Sequence, residues 1–344
     1  MPTTTLSDIH QEIIQTHILP RLDGRSLSTT ATVSSSLHAL TSDHNLWSQI
    51  SRSTWPSITH PRVDDVIYTF PGGHRSFFDD SFPSLTTEIN HRDRYLSKST
   101  LKQQPDCSSC NTCPSQLISA VDIRYQTDII YSNVQFTDVT TEFLSSELQI
   151  KLNEDATSNG INLEVDELAG VDEETLSHLK ESVTLNWILI DPTLKRAGNL
   201  SSIKPVTAKK DWVTNETILL YDTVLPGCDP NEMVLCRIHV VLGVGGQGLH
   251  VKEVMMKLID VDSCWLRGRE FLVITQGAIL GESNVRRKVV DDDDRRKSRR
   301  EFKEIRRQRK EFEEDKRENA IRMNYIGILV SFCFSLFFLS LMLQ

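Results

Sequence analysis

The chain has 344 residues, with 38 basic and 47 acidic side chains, and a formal net charge of −9 at pH 7. Residues 286–322 alone carry a net charge of +5, so the remainder is strongly acidic, which argues against nucleic acid as the main partner. Seven cysteines, odd in number and unevenly scattered, fit a reducing compartment better than a disulfide framework. No basic start followed by an apolar run is present, so the sequence predicts no secretory signal.

Two helical faces separated by a turn are predicted near the start of the chain. Apolar residues between Ile9 and Leu19 recur at the spacing of one helix face, and Leu27 to Leu40 indicate a second face. Asp23-Gly24 marks the turn. A piece of about 45 residues buries too little surface for a comfortable core of its own. Its apolar stripe therefore favours a docking module that packs against a partner.

The same stretch contains Ile18-Leu19-Pro20-Arg21-Leu22, Leu27, Val33-Ser34-Ser35-Ser36-Leu37 and a closing Leu46-Trp47. With these residues it resembles an F-box, and Asp23 stands where that family usually has a proline. The resemblance implies docking on a Skp-type adaptor of a cullin-based ubiquitin ligase. The residues expected to contact that adaptor are Leu6, Ile9, Ile13, Ile18, Leu19, Leu22, Leu27, Val33, Leu40 and Trp47. The alternative is an ordinary helical hairpin that packs only on the chain's own downstream domain.

Residues 59–115 are rich in Pro, Gly, Ser, Asp and His without a sustained period, which predicts an irregular linker. Cys107, Cys110 and Cys113 at its end have a spacing at which thiolates can share one metal ion. Zinc normally needs four ligands, and the next cysteine is Cys228. A flexible cysteine-rich loop is therefore favoured over a metal site.

Residues 116–282 predict a β-rich domain. Val183, Leu185, Trp187 and Leu189 alternate with more polar positions on one predicted strand. Further short strands with turns between them favour an antiparallel β-sandwich-like domain over a βαβ array. These strands are predicted at 117–125, 129–136, 212–213, 218–221, 235–242, 249–251 and 271–274. Residues 153–181 are acidic and irregular, with a short helix from Glu173 to Glu181.

A longer resemblance covers most of residues 6–280. It rests on residues 116–123, 184–192, 199–202 and 272–278, which are similar to a plant F-box protein subfamily. In that subfamily an F-box precedes a β-rich region, often with a hydrophobic tail. The resemblance implies that this region holds a protein target, glycosylated or not. Residues 253–268 resemble, more loosely, the closing strands of the phloem lectin domain, but no sugar-contacting residue can be matched.

Gly243, Gly245 and Gly248 satisfy the G-x-G-x-x-G pattern of a dinucleotide loop after an apolar run. That loop needs a helix next, so that amide donors face the pyrophosphate. The following residues alternate as in a strand, so a glycine-rich hairpin is favoured. No catalytic constellation is found elsewhere, and the sequence predicts neither catalysis nor a cofactor.

Residues 283–322 are predicted to form a charged, solvated helix. Opposite charges recur one turn apart, as in Arg307 with Glu311, and each such pair contributes a few tenths of a kcal/mol. Phe302, Ile305 and Phe312 would begin a heptad seam, so a coiled coil is the alternative.

Residues 326–343 contain no charged side chain and would form roughly 27 Å of helix, close to the thickness of the hydrocarbon core. We therefore expect a single-pass transmembrane tail anchor with the body on the cytosolic side. The endoplasmic reticulum is the expected membrane, because its hydrocarbon layer is slightly thinner than that of an average bilayer and suits a short apolar segment.

These patterns predict an α+β chain that serves as the substrate-recognition subunit of a Skp–cullin–F-box ubiquitin ligase, tethered to a membrane. The alternative is a membrane-attached lectin-like or scaffold protein without a ligase role. The predicted parts are an F-box at 1–58, an irregular linker at 59–115, a β-rich domain at 116–282, a charged helix at 283–322 and a transmembrane tail at 323–344.

Overall fold

The computed structural model describes residues 10–85, 113–152, 157–158, 160–161, 171–228, 232–245, 248–280 and 292–342, with side chains as far as residue 332. Helices come first and two antiparallel sheets follow, so the predicted α+β class is confirmed.

The N-terminal part of the described chain is helical. Helix α1 (Gln11–Ile13) continues through a π-helical turn (Ile14–Ile18) and a 3-10 turn (Leu19–Arg21). The helices that follow are α2 (Gly24–Ala31), α3 (Ser35–Thr41), α4 (His44–Thr54), α5 (Pro61–Tyr68) and α6 (His74–Ser81), with a 3-10 turn (Pro56–Thr59) after α4.

Helices α5 and α6 lie where the sequence favoured an irregular linker, so that interpretation is wrong for residues 61–81. The signals for α5 were present. Pro61 occupies its first position, where a missing N–H is harmless, and Val63 and Ile67 are one turn apart and fully buried.

The first sheet is built from five strands, all paired antiparallel. They are β1 (Gln116–Tyr125), β2 (Asp128–Asp138), β4 (Thr157–Ser158), β5 (Val183–Asp191) and β6 (Arg196–Asn199), in the order β4-β2-β1-β5-β6. Helix α7 (Thr141–Ser145) follows β2, and α8 (Glu173–Ser182) precedes β5, where the sequence predicts a short helix.

The second sheet is also antiparallel. Its strands are β3 (Ile150–Leu152), β7 (Thr207–Lys210), β8 (Thr217–Pro226), β9 (Met233–Gly245) and β10 (Gly248–Ile259), in the order β3-β10-β9-β8-β7. Gly245 pairs with Gly248 where β9 meets β10, so the favoured glycine-rich hairpin is confirmed and no helix follows the glycine motif.

The two sheets share one hydrophobic core. Trp187 of β5 and Tyr221 of β8, both fully buried, belong to the same cluster of packed side chains. Strand β1 is buried on both faces, because Val121 and Ile123 face this core while Ile118 and Ala120 pack against the N-terminal helices. The first sheet is therefore the middle layer between the helices and the second sheet.

Two predicted strands are absent. Residues 271–274 lie inside helix α9 (Gly268–Leu280), whose side chains enter the main core. A short apolar run has the same appearance in a buried helix and in a buried strand, so periodicity could not separate the two. Trp212 and Val213 lie in the turn between β7 and β8 instead of a strand, with exposed fractions of 91% and 69%.

Helix α10 (Asp292–Met342) is continuous over 51 residues. The predicted pair of Arg307 with Glu311 is confirmed at 2.5 Å. Phe302, however, is 2% exposed and packs against the second sheet beside Val224 and Leu235. The charged segment is therefore docked on the β-rich domain at its start.

The sequence predicts a transmembrane tail anchor at residues 326–343 and a location in the endoplasmic reticulum. This prediction is wrong, because no helix in the described parts of the chain is both long enough and apolar enough to cross a bilayer. The sequence argument treated the uncharged run as a helix of its own. It is instead the end of α10, whose preceding residues are mostly charged.

Candidate functional site

Side-chain caps fix the N-terminal ends of helices α2, α3 and α4. Asp23 accepts a hydrogen bond from the Ser26 N–H at 2.6 Å and starts α2. Ser34 does the same for α3, and Asp43 for α4. Such side chains satisfy backbone donors that have no partner inside the helix. Asp23, which stands where F-box sequences usually have a proline, therefore has a structural role, because it caps α2.

Four of the predicted adaptor-contacting residues lie in the core of the helices. Leu19, Leu27, Leu40 and Trp47 are all at most 6% exposed. The Trp47 indole donates a hydrogen bond to the Thr41 carbonyl at 2.7 Å, which satisfies its only donor. These side chains stabilise the helices from inside.

Phe78 of α6 completes the core of these helices. Its ring lies 5.3 Å from the Trp47 ring. It also approaches Gly24 so closely that a Cβ at this position would meet the Phe78 ring at 2.1 Å. A residue of the predicted linker is therefore part of the same core as the F-box-like stretch.

A second group of the predicted residues faces solvent. Ile13 is 48% exposed, Ile18 is 36% exposed and Val33 is 69% exposed, while Leu22 is partly buried against the core. Ile13 and Ile18 lie on the first helical turns, and Val33 lies in the turn between α2 and α3. Leu6 and Ile9 lie outside the described residues. The exposed apolar side chains are thus the ones available to a partner.

The N-terminal helices are joined to the first sheet by buried polar contacts. Asp122 of β1 accepts hydrogen bonds from the Ser57 N–H at 3.0 Å, the Ser57 hydroxyl at 2.6 Å and the Ser132 hydroxyl at 2.7 Å. Burial raises the pKa of Asp122, and the hydrogen bonds from Ser57 and Ser132 oppose that shift. Asp80 of α6 accepts from the Arg196 guanidinium of β6 at 2.7 Å.

The first residue of α6 is a buried histidine that faces α5 and α4. His74 is 0% exposed, with its Nε2 3.2 Å from Asp64, and Asp64 also pairs with Arg52 at 2.8 Å. Burial lowers the pKa of His74 to about 4, and the nearby charge of Asp64 offsets only part of this effect. The neutral imidazole is therefore the form that the folded helices accommodate.

The cysteine cluster cannot be assembled from the described residues. Cys107 and Cys110 lie outside them, and Cys113 is partly buried beside the main core. Within the described ranges no group of three or more metal-binding side chains occurs. A metal site at these cysteines stays a prediction.

Sequence reasoning missed the contacts that tie the helices to the sheet. Asp122 stood out as a lone acid between apolar residues of a predicted strand, which is the one local signal of a buried carboxylate. Its partner Ser57 is 65 residues away, and no short-range pattern links them.

Most of the chain is similar to three F-box proteins of Arabidopsis thaliana. F-box protein At2g27310 is 35% identical, over 97% of this chain and 95% of the relative. Probable F-box protein At2g36090 is 34% identical, over 89% of this chain and 86% of the relative. F-box protein At3g44326 is 32% identical, over 87% of this chain and 82% of the relative. No family model and no solved structure matches the chain.

Proposed function

The chain belongs to the F-box proteins, and we propose that it is the substrate-recognition subunit of a Skp–cullin–F-box ubiquitin ligase. The observation that carries this proposal is the similarity to three F-box proteins, which extends over 87% to 97% of the chain. In this assembly the N-terminal helices bind the Skp-type adaptor, the adaptor binds the cullin, and the chain itself catalyses no reaction.

Burial divides the predicted adaptor-contacting residues into two roles. Ile13, Ile18 and Val33 supply the direct apolar contacts, since interface energy comes mainly from side chains that pass from solvent into a buried patch. Leu22 lies at the boundary between the helical core and this surface. The buried members of the set keep the helices in the conformation that exposes the three contact residues to a partner. They are Leu19, Leu27, Leu40 and Trp47. Leu6 and Ile9 remain predicted members of the surface.

We assign target binding to the β-rich domain. The turn between β7 and β8 supports this assignment, because Trp212 is 91% exposed there and aromatic side chains are frequent anchors at interfaces. Asp211 holds the turn in shape by accepting the Val213 N–H at 2.8 Å. The backbone of the turn is therefore preorganised, which reduces the conformational entropy lost on binding.

The contacts of Asp122 with Ser57 and of Asp80 with Arg196 would hold the target at a set distance from the adaptor. A ligase transfers ubiquitin only to lysines within its reach, and two domains joined by buried polar contacts present the same lysines in each encounter.

Co-elution of the purified chain with a Skp-type adaptor tests the proposal. We expect the wild-type chain to form a complex at micromolar concentration, and Ile18→Asp to abolish it while circular dichroism shows an unchanged fold. A wild-type chain that does not co-elute with the adaptor would rule out the ligase role and leave a scaffold protein.

A further inference from the structure

The described part of the chain contains a cavity of about 610 Å³ whose wall is strongly basic. It lies between α8, the connection from β6 to β7, and the first turns of α10, and it includes Lys180, Lys204 and Lys303. Seven lysines and arginines line it together with only two carboxylates, in a chain whose overall net charge is −9. Such a concentration of positive charge in a concave surface attracts anions, because the low-dielectric walls focus the field.

The two carboxylates of the cavity are too few to balance the charge of its seven cations. Glu181 pairs with Lys204 at 3.1 Å. The pKa of Glu181 is lowered chiefly by the hydrogen bond and charge of Lys204, and further by the charges of Lys180 and Arg296. Three cations, Lys204, Lys180 and Arg296, thus act on the single carboxylate of Glu181. Within the described residues, Lys180, Arg296 and Lys303 form no ion pair.

The wall is formed before any ligand arrives. The Arg295 guanidinium donates to the Ser202 carbonyl at 2.8 Å and to the Ser84 hydroxyl at 2.7 Å, which joins α10 to the β6–β7 connection. Phe302, between Arg300 and Lys303 of the cavity wall in the sequence, is 2% exposed and packed on the second sheet. The basic side chains therefore project from elements whose relative position is already set, which reduces the entropy lost on binding.

We propose that this cavity binds a ligand with two or more phosphate groups close together. Arginine forks match the geometry of phosphate oxygens, and lysines add mobile point charges, so the mixture present here suits clustered phosphates better than a single carboxylate. The volume admits a small polyanion or a short phosphorylated segment. Nucleic acid is a poorer fit, because the rest of the chain is acidic and would repel an extended polyanion.

Calorimetric titration of the full chain with tripolyphosphate tests the proposal, and it needs no adaptor, so failure of the ligase role would leave it untouched. Citrate is the control for charge without phosphate geometry. The variant Arg296→Gln/Arg300→Gln removes two cavity charges. The variant Arg306→Gln/Arg317→Gln removes two exposed charges of α10 outside the cavity.

We expect tripolyphosphate to bind at least about 10-fold more tightly than citrate, and the cavity variant to lose about 10-fold or more of that affinity. The control variant should bind like the wild type. Affinity that falls equally in both variants, or equal affinity for citrate, would overturn the proposal.

A doubly phosphorylated serine peptide, with its unphosphorylated form as control, distinguishes the source of the phosphates. Competition between this peptide and tripolyphosphate would show recognition of phosphate groups whatever carries them. Tighter binding of the phosphorylated peptide than of tripolyphosphate would assign the cavity to a phosphorylated segment of a partner. Binding of neither probe would contradict the inference.

Discussion

Asp122 and Ser57 join the two halves of this protein through a pair of buried hydrogen bonds, one from the Ser57 N–H at 3.0 Å and one from its hydroxyl at 2.6 Å. Ser57 follows α4, and Asp122 lies in the central strand of the first sheet. The helices and the β-rich domain therefore behave as one structural unit, and a change at this contact should be felt in both.

Replacing Asp122 tests that coupling. Asp122→Ala would leave the buried donors of Ser57 without an acceptor, and we expect a loss of about 2–4 kcal/mol in the free energy of unfolding. Asp122→Asn keeps an acceptor and should lose less than half as much. Urea unfolding followed by far-ultraviolet circular dichroism measures both. Asp128→Ala, at an exposed position of β2, is the control, and an Asp122→Ala variant as stable as this control would contradict the coupling.

His74 should make the protein less stable in mild acid. Its pKa is about 4 in the folded state, against 6.5 for an unperturbed histidine, so the unfolded chain binds more protons and stability falls as the pH drops through this window. Between pH 7.5 and 5.0 the contribution is about 2 kcal/mol.

The variant His74→Gln should lose that part of the pH dependence, whereas His38→Gln, at an exposed histidine, should keep it. The free energy of unfolding of each variant, measured at both pH values, tests this prediction. Equal pH dependence in wild type and His74→Gln would show that folding does not lower the pKa of His74.

Phe302 should anchor α10 to the second sheet. Phe302→Ala removes a buried ring beside Val224 and Leu235, and we expect a loss of about 3 kcal/mol together with faster amide exchange in residues 292–305. Phe312 is 65% exposed on the same helix, so Phe312→Ala is a matched control with little expected effect. Unchanged exchange in Phe302→Ala would show that the helix is held by its charges alone.

Local patterns predicted the elements that local physics determines. The alternation of Val183, Leu185 and Trp187 predicted β5, and the short helix predicted from Glu173 to Glu181 corresponds to α8. The alternation of residues after Gly248 favoured a glycine-rich hairpin over a dinucleotide loop, and β9 and β10 pair there as predicted. In each case the deciding forces act between residues that are close in sequence.

The remaining features depend on contacts distant in sequence. From Phe271 onward, helix α9 is mostly apolar and buried, so this part shows no clear amphipathic period. Phe302 lies in a run of charges, and only the second sheet makes it a core residue. Sequence reasoning also had no means to separate exposed Val33 from buried Leu27, since core and interface positions have the same apolar character.

The central claim is that exposed apolar residues of the N-terminal helices bind a Skp-type adaptor. Val33 and Val213 provide a matched pair, because both are 69% exposed and lie in turns of the two different domains. Binding of purified adaptor to Val33→Asp and to Val213→Asp, measured by surface plasmon resonance, tests the claim most directly. We expect Val33→Asp to raise the Kd by about 10-fold or more, since a charge would enter an apolar interface, and Val213→Asp to leave it unchanged. An equal Kd for both variants would contradict the account.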